Sequence, residues 1–235
     1  MKGILVTLCL LASAFGQVVQ IKDGSPSDSP LTFKGSITYG APYTNSDCTI
    51  VAHNGGSRRI VAFLAQLNVM RADGHYFNEP FRHDHFFGSD EMLAMMAFNS
   101  GQDFDPGINC SEFGGTKTTN EAMTPQPPWM TITTTMVQFD DGSVWGDPAS
   151  AKEIMFQRNE AIAYLQSLKA SDNLTDALAH EPPMGIERNS DHHLRWERTL
   201  QWSYISEKTT PQAQADELNR RLAIAQAHAA WIKDQ

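Results

Sequence analysis

The chain has 235 residues, 41% of them hydrophobic, with 27 acidic against 18 basic side chains and a formal net charge of −9. That length and apolar content suffice for one domain with a substantial addition, or for two small ones. The acidic balance argues against nucleic acid and anionic membranes as partners, because both need a basic surface.

In chain order, residues 1–16 read first, as a cleavable secretory signal. Lys2 supplies the positive charge, and Ile4 to Leu11 is apolar apart from Thr7. Small Ala12, Ser13 and Ala14 then offer a peptidase site after Ala14 or Gly16. The apolar run falls short of the roughly 20 residues a spanning helix needs. No later segment is apolar for long enough either. The sequence thus predicts a soluble protein, secreted or periplasmic, with no membrane span.

Residues 17–30 are rich in Ser, Asp and Pro and read as a flexible leader. From Leu31 the pattern alternates: Leu31, Phe33, Ile37 and Tyr39 share one parity, as in a half-buried strand. Cys48 to His53 is a second strand-like run, separated from the apolar Ile60 to Val69 by Asn54-Gly55-Gly56-Ser57. Asn-Gly reaches φ > 0 at low cost, so the two runs are expected to pair as a hairpin. The aromatic segment through Phe87 and the run Glu91 to Phe98 are not assigned by periodicity. Residues 99–130 are loop-rich in Gly and Pro. Thr131 to Phe139 is the clearest strand, and Asp141-Gly142 turns it into a short return through Val144 and Trp145.

These turn-bounded strands predict an antiparallel β-sandwich over residues 31–146. In an exported chain, Cys48 and Cys110 form an even pair that predicts a disulfide. A closed loop of roughly 60 residues would stabilise the fold by about 4 kcal/mol on the chain-entropy argument. The plainer reading is two unrelated buried cysteines. In architecture and two-cysteine spacing the region resembles an immunoglobulin-like sandwich. No Trp follows Cys48 at that family's usual distance, so the resemblance implies a fold and carries over no functional residue.

Residues 147–235 change texture and predict helices. Asp147 suits an N-cap and Pro148 the first helical position. Ala151, Ile154, Ala161, Leu165 and Leu168 then form an apolar stripe, broken by Arg158. Thr210-Pro211 repeats the start signal before a second stripe of Leu218, Leu222, Ala225, Ala229 and Ile232. Residues 171–209 carry mixed signals and are not assigned.

Among residues that could carry chemistry, His83-Asp84-His85 stands out. On a strand, positions i and i+2 share a face, so His83 and His85 could chelate a divalent metal such as zinc. A third ligand would have to come from His75, Glu79, Glu91 or Asp191-His192-His193. The competing reading makes these histidines, which flank Phe81, Phe86 and Phe87, the wet edge of an aromatic patch. Together with Tyr76, Phe77, Trp196 and Trp202, those rings have the composition of a binding surface. No Gly-x-Ser-x-Gly elbow is present, and Gly114-Gly115-Thr116-Lys117-Thr118 has the wrong order for a phosphate loop. No catalytic residue and no organic cofactor is therefore expected. The sequence favours a non-catalytic interaction or scaffold module. Its partner would be another protein or a second copy, met through the aromatic patch or the C-terminal helices. The alternative is a metal-binding exported enzyme or metal carrier built on His83 and His85.

Overall fold

The computed structural model describes residues 17–39, 46–70, 76–88, 98–108, 129–180 and 192–229. The signal segment, Cys110, His75 and Glu91 lie outside the described residues, as do the side chains of His192 and His193.

Eight strands form the first half: β1 (Gln17–Asp23), β2 (Leu31–Tyr39), β3 (Ser46–Asn54), β4 (Ile60–Met70), β5 (Tyr76–Asp84), β6 (Asp103–Phe104), β7 (Trp129–Phe139) and β8 (Val144–Gly146). They make one mixed sheet in the order β5-β4-β7-β1-β2-β3-β6, with β8 also paired to β7. The sheet curls, so side chains from both ends meet in one core. Leu31, Ile37, Ile60, Phe63, Met130 and Ile132 are among its fully buried members. Burying each such side chain contributes about 1.5–3 kcal/mol.

Three sequence expectations need correction. The leader predicted over 17–30 contains a strand, since Gln17–Gln20 pair with β2 and Ile21–Asp23 pair with β7. The polar run 23–30 that follows concealed it, although Val19 and Ile21 on alternate positions reach the sheet core. The β1–β7 ladder is parallel, so the sheet is not wholly antiparallel. Parallel pairing requires only a long connection between the two strands, and here more than half the β-region intervenes.

The third correction concerns the Asn-Gly turn. β3 pairs with β2 and β6, whereas β4 pairs with β5 and β7, so the two runs flanking Asn54-Gly55 do not form a hairpin. The Asn54 side chain is fully buried and donates to the carbonyls of Arg58 and Phe98, both at 2.8 Å. It also accepts from the Gly56 N–H, while the Gly55 N–H reaches the Pro30 carbonyl. Tertiary partners thus pull the turn open and send the chain across the core. The hairpin predicted at Asp141-Gly142 does form, between β7 and β8.

Helices follow: α1 (Pro148–Lys169), α2 (Leu174–Leu178), α3 (His192–Ser206) and α4 (Pro211–Ala227). β8 hands over to α1 at Gly146, whose φ of 100° favours glycine and where any Cβ would run into the Thr135 carbonyl oxygen. Asp147 then caps α1 by accepting from the Ala149 and Ser150 N–H groups, and Thr210 caps α4 by accepting from Ala213. The first apolar stripe is buried as predicted. Its N-terminal end packs Ala151 and Ile154 on Met136 with Leu64 and Val144 alongside. Its C-terminal end joins Val61, Phe86 and Phe87 to Leu178, Ile205, Leu218 and Ala225. In the second stripe Leu218 and Ala225 are buried, Leu222 is half-buried and Ala229 is exposed. Among the described residues, no helix is long and apolar enough to cross a membrane.

Candidate functional site

The site grows from the end of β5. Alternation along this edge strand turns Phe81 and His83 toward the sheet core, and Arg82 and Asp84 toward the helices. The strand stops at Asp84, which accepts from the Phe86 N–H at 3.0 Å. The Gly88 N–H closes the turn on the His85 carbonyl at 2.8 Å. Phe86 and Phe87 are thereby placed in the helix-side core. The His228 ring bonds the Phe86 carbonyl through Nδ1 at 2.7 Å, tying this turn to the end of α4.

Arg158, the residue that breaks the first helical stripe, has no solvent exposure at all. Its guanidinium grips Asp84 bidentately at 3.1 and 2.8 Å and donates to Gln138 Oε1 at 2.7 Å. Arg82 adds a second cation against Asp84. The chain of polar contacts then crosses to α3, where Glu197 Oε2 lies 3.9 Å from Arg82. Gln201 donates to Glu197 at 2.6 Å and accepts from Arg221 on α4 at 2.9 Å. Arg221 also donates to Glu217 at 2.7 Å and lies over the Tyr204 ring at 4.0 Å. Arg220 completes the sequence with two donations to the same carboxylate, at 2.9 and 2.7 Å. One connected polar path therefore links β7, α1, β5, α3 and α4.

A cavity of about 500 Å³ opens along this path, between the Asp84–Gly88 turn on one side and α3 and α4 on the other. Asp84 and Glu197 line it, with Gln201 and Glu217 further along. Phe87, Leu200 and Tyr204 give it an apolar flank, and Lys208 with Arg220 brings positive charge.

The electrostatics divide its acids. Burial raises the Asp84 carboxyl, but Arg158 and then Arg82 outweigh that and hold it below the ordinary carboxylate range. Partial burial raises Glu217 as well, and the hydrogen bonds of Arg220 and Arg221 bring it down to about 2. Glu197 goes the other way. Burial, reinforced by the charge of Asp84, raises it despite Arg82 and Gln201. The cavity so contains two fixed carboxylates and one acid inclined to keep its proton.

His83 and His85 do share a face. Their Nε2 atoms turn toward each other, and the rings meet edge-on with centroids 4.2 Å apart. His83 stacks on Phe63 at 5.1 Å and bonds the Pro106 backbone. Burial, followed by the charge of His85, lowers its pKa to about 3, and burial also lowers His85. Of the proposed third ligands, Glu79 is described, and it is exposed four residues back along the strand, about 13 Å away. Among the described residues no three His, Cys, Asp or Glu side chains are grouped to hold a metal.

The aromatic patch expected as a partner surface is largely interior. Phe86 and Phe87 are buried against the helices, Phe77 and Phe81 pack on the sheet core, and Tyr76 is exposed. With two of these rings on the sheet core and two in the helix-side core, Tyr76 alone among the five stands at the surface. Cys48 Sγ lies 3.8 Å from the carbonyl oxygen of Ile108, two residues before Cys110 in sequence.

Sequence reasoning missed Arg158, Glu197, Gln201 and Arg221 as parts of one site. A signal existed for Arg158, because a charge set within an otherwise buried stripe needs a partner. For Gln201 and Arg221 no local pattern could have named the partner. Compared with family models, curated proteins and solved structures, the chain matches none.

Proposed function

We propose that this is an exported, non-catalytic binding module that holds a small polar ligand in the cavity between the Asp84–Gly88 turn and helices α3 and α4. The observation that carries this reading is a cavity of about 500 Å³ along which Glu197, Gln201, Arg221 and Glu217 are joined by hydrogen bonds. That volume lies in the range of small-molecule sites, which run from about 300 to 1,000 Å³. Asp84 and Glu217 are clasped by two arginines each, which suits them to orient a ligand and not to accept protons. Phe87, Leu200 and Tyr204 offer the ligand body an apolar flank.

The export reading rests on the signal-like segment 1–16, and the disulfide between Cys48 and Cys110 belongs with it. The approach of Cys48 to Ile108 supports that pairing. Titration of denatured, unreduced protein is expected to find no reactive thiol in the mature chain; two thiols would refute the bridge. We read the β-half further as immunoglobulin-like in architecture alone: the one continuous sheet curls so that β2 and β3 face β4 and β7 across a shared core, with β1 joining the two flanks.

The ligand claim is tested by screening small polar compounds with calorimetry and ligand-observed NMR. We expect saturable binding that Leu200→Trp, which fills the cavity, weakens at least tenfold while the protein stays folded. Binders indifferent to that substitution, or conversion of a bound compound, would reject the reading.

One observation favours a second reading, a metal site. His83 and His85 direct Nε2 atoms at one another, and His83 is steadied from behind by the Pro106 backbone, as metal-ligating histidines commonly are. Elemental analysis of the purified mature protein decides it. One equivalent of zinc or another divalent metal, lost in His83→Ala, would move the function to this pair.

A further inference from the structure

The sheet face shared by β4, β5 and β7 is covered at one end only. There, Leu64 and Met136 lie under Ala151 and Ile154 of α1. Toward the other end of the same face, no described element packs on it. The register fixes what that open end presents. Met70 is flanked by Tyr76 on β5 and Trp129 on β7, and the two rings sit 6.0 Å apart at 45°. Both are unusually exposed for their type, at 52% and 39%. One step along, Asn68 is flanked by Asn78 and Thr131.

The amides form a ladder of their own. Asn68 Oδ1 accepts from the Tyr76 hydroxyl at 2.6 Å and from the Asn78 side chain at 2.9 Å, and Gln66 donates to Asn78. These bonds fix the side chains in place across two strands. Each carboxamide carries two N–H donors and two lone pairs, and the bonds of this ladder leave N–H donors on all three amides and lone pairs on Gln66 and Asn78 unused among themselves. Pre-set amides beside two exposed rings are the chemistry that meets a polyol: hydroxyls find both donor and acceptor, and the apolar face of a sugar ring lies on an aromatic ring.

Charge narrows the class of partner. The chain carries a net charge of −9, which disfavours acidic polymers, yet the described residues of this patch contain no carboxylate to attract a basic one. Lys22, paired with Thr131, stands at the margin of the patch. A neutral polymer is the match. We infer that the open β4–β5–β7 face, centred on Tyr76, Trp129 and the Asn68–Asn78 ladder, binds neutral polysaccharide. It lies on a different part of the molecule from the cavity, so the two proposals stand or fall separately.

The test is retention of the mature protein on microcrystalline cellulose, chitin and xylan, with polygalacturonate and chitosan as acidic and basic comparisons. We expect retention on at least one neutral polysaccharide. Tyr76→Ala and Trp129→Ala should each weaken it at least tenfold, and Asn78→Ala severalfold. Trp129→Phe, which keeps a ring, should retain most of the binding and guards against loss through misfolding. Melting temperatures report whether each variant remains folded. Failure to bind all three neutral polymers, binding to charged polymers alone, or retention unchanged in a folded Tyr76→Ala would overturn the inference.

Discussion

The two sides of β4 are packed by opposite means. On the inner side, the curled sheet closes over a continuous apolar cluster centred on Phe63, with Phe33, Phe81 and Phe98 at ring distances of 6.0, 5.9 and 6.1 Å. On the outer side, an apolar cluster is crossed by the polar path from Gln138 through Arg158 and Asp84 to Arg221. The apolar side is held by area removed from water, which is non-directional and tolerant of small shifts. The polar side is held by groups whose burial is costly unless every partner is in place. The lesson is a division of labour. The sheet core supplies stability, and the helix interface fixes one arrangement of α1, α3 and α4 around the cavity.

The largest expected effect comes from breaking the polar side. Asp84→Ala leaves Arg158 buried without its carboxylate and should cost about 3–5 kcal/mol in urea denaturation. The double substitution Asp84→Leu with Arg158→Met sharpens the contrast. It should return most of that stability, because a well-packed apolar pair often equals or exceeds a buried ion pair. If the single and double variants are equally destabilised, the network is not the source of the loss.

Acid should act on both sides in turn. The folded-state pKa of His83 is lowered from about 6.5 to about 3, so its contribution is complete above pH 6.5 and is lost as pH falls toward 3. Asp84 is also lowered, and its contribution disappears further into acid, below the ordinary carboxylate value. Glu197 is raised, so its sign is opposite: it favours the folded state at low pH and ceases to do so as pH rises through its raised value. Melting temperature measured from pH 7 to 4 should therefore fall, and His83→Gln should flatten that decline. An equally steep decline in the variant would remove His83 from the account.

The smallest effect tests the joint between the regions. Asp147→Ala removes the two hydrogen bonds that cap α1 where it leaves β8, and should cost about 0.5–2 kcal/mol. Thr210→Ala at α4 removes a single such bond and should cost less. The reverse order would mean that α1 draws its stability from packing and not from its start.

Much of the secondary structure was legible from local pattern. The period-2 run at Thr131–Phe139, the Asp141-Gly142 turn and the helix starts at Asp147-Pro148 and Thr210-Pro211 all lie where the sequence put them, within a residue or two. The site was legible only in fragments. His83 and His85 share a face because strand geometry makes positions i and i+2 do so. Asp84, between them, was passed over because the guanidinium that grips it bidentately, Arg158, lies 74 residues away on α1.

The sequence alone determined what depends on neighbours along the chain: alternation, helical stripes, caps and turns, each set by backbone sterics and hydrogen bonding over a few residues. Tertiary structure decided the rest. It chose which strands pair, opening the Asn54-Gly55 turn and drawing residues 17–23 into the sheet. It also turned Arg158 from an interruption into the buried hub that holds Asp84 at the cavity. The physical reason is that a strand edge or a buried charge needs a partner without specifying which one. The choice falls to whichever arrangement satisfies all such groups together.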